Sequence, residues 1–399
     1  MSLLLNPHTI ERILHTALIS TLPDQGLVSL FKADDWKREP LGEEGPFSQE
    51  WIAASAQRVS QLFGLGEVGG ILPLVDMEDF SAWLKLLGET TGHHVETLRF
   101  PVVMNDGSSR LYGLRGAFLR HQLQGLWERM PAPSRVFHFR QGFDYLKCLT
   151  VSLVASVSNA QTMLLDDLPL HRLTRMVLPT DWAVLPRSIF WKNSQRWHEL
   201  AEQIHLVVLS GPEESPMMTE WHHSLPPHTE LYGDNRMGLV GIRQPYKEGY
   251  RIPAHVTRGQ GDKDFQHLPE TGGLPWEVDS PDALKWDRPD TFRVVGTKES
   301  LITVHGHEVY PAQLAQKLLK HPEIRACLIH AGGGLDQTAL IFHLVPEEVE
   351  SDVPAEWMRA IRMWTGRNLA PHERPAEIHV HLAPTDEPGW HVWDIDWQE

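Results

Sequence analysis

The sequence predicts an α/β protein: a large N-terminal domain of parallel sheets covered by helices, with a short β-rich subdomain, followed by a small α+β C-terminal domain. Three observations predict it. From residue 48 to about 240, helical and strand-like segments alternate, the pattern of a largely parallel sheet with helices on both faces. Residues 243–292 are rich in Pro, Gly and charge, which calls for short antiparallel strands and loops. After "TFRVVG" the alternation resumes on a smaller scale. A chain of 399 residues exceeds one ordinary core. The boundary is expected near 296–300, giving domains 1–298 and 299–399.

Each element has its own signal. Ile10, Ile13, Leu14, Ala17, Leu18 and Leu22 recur at three- and four-residue spacing, an amphipathic helix that Pro23 ends. "EWIAASAQRVSQLFGLG" reads as a helix, "VGGILPLV" as a buried strand and "MEDFSAWLKLLGETTG" as a helix. The strand "RVFHF", the helix-like "YLKCLTVSLVASVSNA" and the strand "TMLL" follow. Then come the helix "PRSIFWKNSQRWHELAEQ", the apolar strand "IHLVVLSG", the helix "SPMMTEWHHSLP" and the strands "TELYGD" and "GLVGI". In the C-terminal domain strands are expected near 301–305, 325–330, 338–345 and 376–382, with helices near 311–320 and 355–368.

Composition narrows the function classes. Hydrophobic content of 41% and charged content of 22% are those of a soluble globular protein. A formal charge of −16 argues against a nucleic-acid backbone or an anionic membrane surface as the main partner. The first 22 residues lack a basic region and a long apolar run, and Glu11 and Arg12 interrupt them, so they do not read as a signal peptide. No stretch approaches the length of a membrane span, and a cytoplasmic location is expected. Cys148 and Cys327 each lie in an apolar run and read as buried free thiols. The His groups in "GHH" and "WHHSLPPH" lack HExxH spacing and a carboxylate set, so no metal ligands are assigned and they read as surface or interface residues. No G-x-S-x-G elbow is present.

Ligands of open α/β sheets bind beyond the carboxyl ends of strands, where small residues let backbone N–H groups approach. Three loops have that character. In "VVMNDGSSRLYG", Asn105, Asp106, Gly107, Ser108 and Ser109 form a candidate anion nest. "VVLSGPEE" ends a strand in Ser210, Gly211 and Pro212, and "TELYGDNRMG" ends another in Tyr232, Gly233, Asp234 and Asn235. Alone, each also reads as an ordinary polar turn.

Taken in order, from about residue 50 to 392, these motifs resemble the adenylate-forming ligases: acyl- and aryl-CoA synthetases, peptide-synthetase adenylation domains and luciferases. "NDGSSR" falls at the family's phosphate loop, "FHFRQGF" with His138 near its acyl pocket, "LSGPEESP" at the adenine edge and "YGDNRMG" at its Tyr-Gly-x-Thr-Glu loop. Asp282 in "SPDALKWDRPDTFRVVG" stands where the family's ribose-binding Asp stands. "GTKESLITVHGHEVYPAQL" overlays the interdomain hinge, and "LAPHERPAEIHVHLAPTDEPGW" the last strand and lysine loop. The resemblance implies ATP or AMP, Mg²⁺, a small carboxylate or acyl substrate, and CoA or a phosphopantetheine-bearing carrier protein as thiol acceptor. It leaves a homodimer open.

The charges depart from the family. Gly113 lies near the place of the phosphate-loop Lys, with Arg115 two residues on. Arg236 replaces the Glu that holds Mg²⁺, Thr297 the hinge Arg, and Trp390 falls at or near the catalytic Lys; Glu299 keeps a hinge acid. Removing one transition-state donor costs on the order of 10²–10³ in rate. Two readings follow. One is an atypical ligase in which Arg115 and Arg236 supply phosphate charge, Tyr232 stacks on adenine and Asp282 holds the ribose. The other is an inactive homologue that binds nucleotide, acyl group or carrier as a scaffold. Trp390, Trp393 and Trp397 predict a C-terminal tail docked in one orientation.

Overall fold

The computed structural model describes residues 7–22, 27, 30–31, 34–42, 45–65, 74–94, 97–103, 109–127, 129–140, 144–166, 170–192, 194–210, 226–244, 249–261, 263–268, 275–298, 302–304, 307–332, 339–347, 355–385 and 391–392. Asn105 to Ser108, Gly211, Pro212, Glu299, Trp390, Trp393, Trp397 and the expected helix "SPMMTEWHHSLP" (save its last residue) lie outside them. The architecture is the mixed α/β arrangement that the sequence predicts: a large sheet with parallel strands, covering helices and further small sheets. The chain divides into two compact units, Met1–Gly211 with Ser224–Asp279 and Arg288–Thr291, and Pro212–His223 with Ser280–Asp287 and Phe292–Glu399.

The first unit opens on helix Pro7–Ile19, whose Ile10, Ile13, Leu14, Ala17 and Leu18 are buried. At its C-terminal end the Ser20 and Thr21 hydroxyls donate to the carbonyls of Thr16 and Leu18, which also accept from the backbone N–H groups of Ser20 and Thr21. Helix Gln49–Phe63 starts where the Ser48 hydroxyl accepts from the N–H of Trp51, and stops at Gly64, whose φ of 69° lies in the left-handed region. The sequence places a buried strand over "VGGILPLV", of which Val68 to Pro73 lie outside the described residues; Leu74 and Val75, at its end, belong to a turn. Strands β1 (Thr97–Val103) and β2 (Ser109–Arg115) then pair antiparallel, from Thr97 with Arg115 to Val103 with Ser109. The phosphate-loop segment is thus the connection of a hairpin. Helix Gly116–Trp127 follows.

The central strands are β3 (Arg135–His138), β4 (Gln161–Leu164), β5 (Trp182–Pro186), β6 (His205–Ser210), β7 (Thr229–Asp234), β8 (Gly238–Arg243) and β9 (Tyr250–Arg251). Across the sheet they run β9-β8-β7-β6-β5-β3-β4. The pairs from β4 to β7 are parallel, and β8 and β9 add an antiparallel edge. Alternation along the strands builds two cores. Val136, Trp182, Val184 and Val207 join the cluster beneath helices 7–19 and 145–158. Phe137, Ala183, Leu185, Leu206 and Val208 pack on the other face with Leu173, Phe190, Trp197 and Leu200. Each fully buried Leu, Val or Phe contributes about 1.5–3 kcal/mol. The segment 145–158 is helical with a π turn at Cys148–Leu153, and it ends on Asn159 in the left-handed region. Strands β10 (Val256–Arg258), β11 (Phe265–His267) and β12 (Trp276–Val278) form the small antiparallel sheet that the Pro/Gly-rich segment called for.

In the second unit, β13 (Asp282–Arg288, up to Asp287) and β14 (Thr291–Thr297, from Phe292) are neighbours. Hairpin β15 (Ile302–Val304) and β16 (His307–Val309) sets Thr303 opposite Glu308. Helix Pro311–Leu318 leads to β17 (Ile324–Gly332) and β18 (Ala339–Pro346), then helix Ala355–Asn368, β19 (Pro375–Val380) and β20 (His391–Val392). The sheet order is β19-β18-β17-β20. Cys327, Ile329, Phe342 and Leu344 meet Leu314, Leu318, Trp357 and Ile361 in its core. Cys148 and Cys327 are free and buried, as the sequence predicts. Among the described residues no helix is long and apolar enough to cross a membrane.

Candidate functional site

The strand order reverses between β3 and β5. From β3 the chain goes outward to β4, then crosses back past β3 to β5. Crossovers leaving in opposite directions open a crevice at the strands' carboxyl ends, the place where open α/β sheets hold ligands. His138 ends β3, Pro186 ends β5 with Arg187 next, and Ser210 ends β6.

The side chains at this edge include buried titratable groups. His138 is 3% exposed, its Nδ1 3.1 Å from the Phe139 carbonyl oxygen. Burial, with Lys147 nearby, pushes its pKa down to about 3, so it is neutral at pH 7. Lys147 donates to the Arg140 carbonyl at 2.7 Å and to Ser20 Oγ at 3.0 Å. Burial lowers its pKa to about 7, against the pull of Asp144 and Asp166. The Arg140 N–H donates to Asp166 at 2.6 Å.

Below β6 and β7 lies an ionic lattice that the sequence reading missed. Pairing sets Glu230 opposite Arg243, and β8 with β9 sets Ile242 opposite Arg251. Arg243 Nε and Nη2 each lie 2.6 Å from Glu230 Oε2, and the Tyr250 hydroxyl donates to Oε1 at 2.8 Å. Arg187 Nε is 3.6 Å from Oε1, and its Nη1 donates to Ser210 Oγ at 3.3 Å. The Arg243 guanidinium sits 4.4 Å from the Tyr250 ring centroid. Burial alone would push the Glu230 pKa up, but Arg243 and Arg187 hold it down to about 2. The available signal was a charge inside each of two apolar strands, "TELYGD" and "GLVGIR".

The turn from β7 to β8 contains most of the remaining expected residues. Tyr232 is 1% exposed, its ring centroid 5.2 Å from that of Tyr250, so it backs the sheet and offers no open face for a base. Gly233 admits no side chain: a Cβ there would stand 1.9 Å from the Gly238 oxygen. Asp234 Oδ1 accepts from the N–H groups of Arg236 and Met237 at 2.8 and 2.5 Å. Asn235 Oδ1 accepts from the Tyr145 N–H at 2.7 Å, and its Nδ2 donates to the Pro101 carbonyl at 2.8 Å. Arg236 Nε is buried with no hydrogen-bond partner among the described residues. The turn therefore offers a donor unused among the described residues, with Asp234 Oδ1 and Asn235 Oδ1 engaged by the backbone.

Ser109 and Arg115 are the first and last residues of β2; their side chains lie outside the description. Asp282 starts β13 in the second unit, 2% exposed, with its N–H on Ser280 Oγ at 3.1 Å. His228, expected at the surface, is buried: its Nδ1 lies 2.9 Å from the Pro226 oxygen and its ring packs 4.5 Å from Phe190. Among the described residues no group of three or more His, Cys, Asp or Glu is arranged to hold a metal ion. His330, His343 and His381 bond to one another instead, at 2.9 and 2.8 Å.

No family model matches the chain. Over 151 residues it is 26% identical to a 4-coumarate–CoA ligase of Halorhodospira halophila, a match covering 38% of each chain. It is 22% identical over 153 residues to a 4-coumarate–CoA ligase of Cereibacter sphaeroides, covering 37% of this chain and 32% of that one. The matches thus span between about a third and two fifths of these curated relatives. Among solved structures, the O-succinylbenzoate coenzyme A synthetase of Bacillus subtilis, in complex with ATP and magnesium ion, superposes with a TM-score of 0.51 at 12% identity. That superposition covers 71% of this chain and 66% of the synthetase. The chain has the fold of the adenylate-forming ligases and resembles that superfamily in sequence.

Proposed function

We propose that this chain is an atypical acyl- or aryl-CoA synthetase-like protein that binds a small carboxylate and ATP or AMP at the carboxyl edge of its central sheet, with Arg236 meeting phosphate charge. The observation carrying this reading is the buried Nε of Arg236, with no hydrogen-bond partner among the described residues, in the turn where the resemblance puts an Mg²⁺ ligand. A buried donor without an acceptor costs about 1–3 kcal/mol, and an anionic ligand removes that cost. Mg²⁺ does not fit this turn: it wants several oxygens in an octahedron, whereas Asp234 Oδ1 and Asn235 Oδ1 are engaged by backbone N–H groups and the next side chain is a cation.

In the reaction this reading implies, a carboxylate oxygen attacks the α-phosphorus of ATP. A new P–O bond forms as the bond to pyrophosphate breaks; the acyl group then passes to a thiol of CoA or a carrier's phosphopantetheine, forming a thioester as the acyl C–O bond breaks and AMP leaves. Negative charge gathers on phosphoryl oxygens, where fixed cations and donors lower the barrier. Arg236 and Arg115 supply that charge, Ser210 stands at the adenine edge, and the resemblance assigns the ribose hydroxyls to Asp282. His138, buried and neutral, acts as a wall and hydrogen-bonding group.

A second reading, an inactive homologue that binds these ligands as a scaffold, is favoured by the committed Asp234 and Asn235 side chains. Pyrophosphate release from ATP over a panel of small aryl and acyl carboxylates separates the two. Turnover that falls at least tenfold in Arg236→Gln supports the ligase. Nucleotide binding with no release on any carboxylate leaves the scaffold. Failure to bind ATP or AMP at millimolar concentration overturns both.

A further inference from the structure

Helix Ala355–Asn368 buries Trp357, Ile361 and Thr365. At about 100° per residue, Arg359, Met363 and Arg367 share the opposite stripe, with Trp364 at its border. Together with Glu356, Ala360, Asn368 and His321 they line an open cleft of about 470 Å³. Met363 is 50% exposed, and the Trp364 ring is half-buried, 5.4 Å from His321. Arg359, Arg362 and Arg367 are exposed, and none is in an ion pair among the described residues. In a chain of net charge −16 this is a local excess of positive charge around exposed apolar side chains.

We propose that this face is a docking surface for an acidic amphipathic helix of a partner protein. Arg, Trp and Met are the residues enriched at protein interfaces and hot spots. A facing helix would seat an apolar side chain in the cleft against Met363 and Trp364, and place carboxylates on the arginines. The spacing excludes one small anion as the main ligand. Arg359 and Arg367 are eight residues apart, about 12 Å along the axis, too far to converge on one phosphate but matched to acidic residues two turns apart on another helix. An anionic membrane is disfavoured by the overall charge and by Glu356 within the stripe. The surface stands apart from the ligase reading and survives its failure.

The test uses the full chain and two synthetic helical peptides of equal hydrophobicity, one with Glu and one with Lys flanking a Leu/Phe stripe. Fluorescence anisotropy should show saturable binding of the acidic peptide, at least tenfold tighter than the basic one and severalfold weaker at 300 mM than at 50 mM salt. Arg359→Glu with Arg367→Glu should weaken binding tenfold or more, and Met363→Glu at least fivefold; all three positions are exposed, so the fold is kept. Absence of saturation at millimolar acidic peptide, equal binding of the two peptides, or unchanged binding in the variants overturns the proposal. So does binding to anionic phospholipid vesicles without binding to the acidic peptide.

Discussion

The Glu230–Arg243 pair, joined by Tyr250 and Arg187 in an ionic lattice, and the turn from Asp234 to Met237 share strands β7 and β8 and use polar groups in opposite ways. In the lattice, both Glu230 oxygens accept: one from Arg243, the other from Tyr250 with Arg187 beside it. In the turn, Asp234 and Asn235 are engaged by the backbone, while the neighbouring guanidinium keeps a buried N–H with nothing to meet among the described residues. A closed lattice fixes the sheet's edge; an open donor in a buried place waits for an acceptor. Trp127, Trp197 and Trp357 also keep buried ring N–H groups without a partner among the described residues, so what sets Arg236 apart is its charge and its place at the carboxyl end of β7.

The largest effect should come from breaking the lattice. Glu230→Ala leaves buried guanidinium charge uncompensated and should cost about 3–5 kcal/mol in urea unfolding. A loss below about 1 kcal/mol would show that the lattice is not structural. Gly233→Ala comes next. With the Gly238 oxygen 1.9 Å from a Cβ, strands β7 and β8 must part, at roughly 1–3 kcal/mol by the same measurement; a neutral result would refute that close approach.

Acid should sharpen the contrast. Burial, with Lys147, His121 and His255 adding to it, pushes His138, His255 and His267 down to about 3, about 4 and about 3. A folded pKa below the unfolded 6.5 means the unfolded state binds more protons, so this stability is complete above pH 6.5 and is lost as pH falls toward 3. The slope is about 1.4 kcal/mol per pH unit for each histidine. Glu230, held at about 2 against 4.5 unfolded, adds its loss only below pH 4.5. Urea midpoints should therefore decline from pH 6.5 downward and more steeply below 4.5; a flat profile between 6.5 and 4.5 would contradict the buried neutral imidazoles. Asn235→Ala should cost less, about 0.5–2 kcal/mol, for its two backbone bonds.

Much of this fold was legible, for reasons that particular residues make plain. "IHLVVLS" is apolar enough to be a strand whatever surrounds it, and helix 7–19 shows its buried face in the spacing of Ile10, Ile13, Leu14 and Leu18. Strand β5, Trp182–Pro186, escaped because its terminal Pro reads as the start of the next helix. Helix Gly116–Trp127 escaped although Phe118, Leu119, Leu123 and Leu126 recur at helical spacing. The site was legible only as letters. That Arg243 and Tyr250, 13 and 20 positions on, meet Glu230 follows from antiparallel register, which no local pattern states. That Asp234 and Asn235 face the backbone follows from the three-residue turn, Asn235 to Met237, between β7 and β8.

The central claim is that Arg236 takes phosphate charge without a metal. Isothermal calorimetry with AMP and with ATP, on wild type and Arg236→Gln, in excess EDTA and in excess Mg²⁺, tests it most directly. Wild-type affinities should differ less than threefold between EDTA and Mg²⁺, and Arg236→Gln should lose at least tenfold while its urea midpoint stays that of wild type. Binding that requires Mg²⁺, or that Arg236→Gln leaves unchanged, would contradict it.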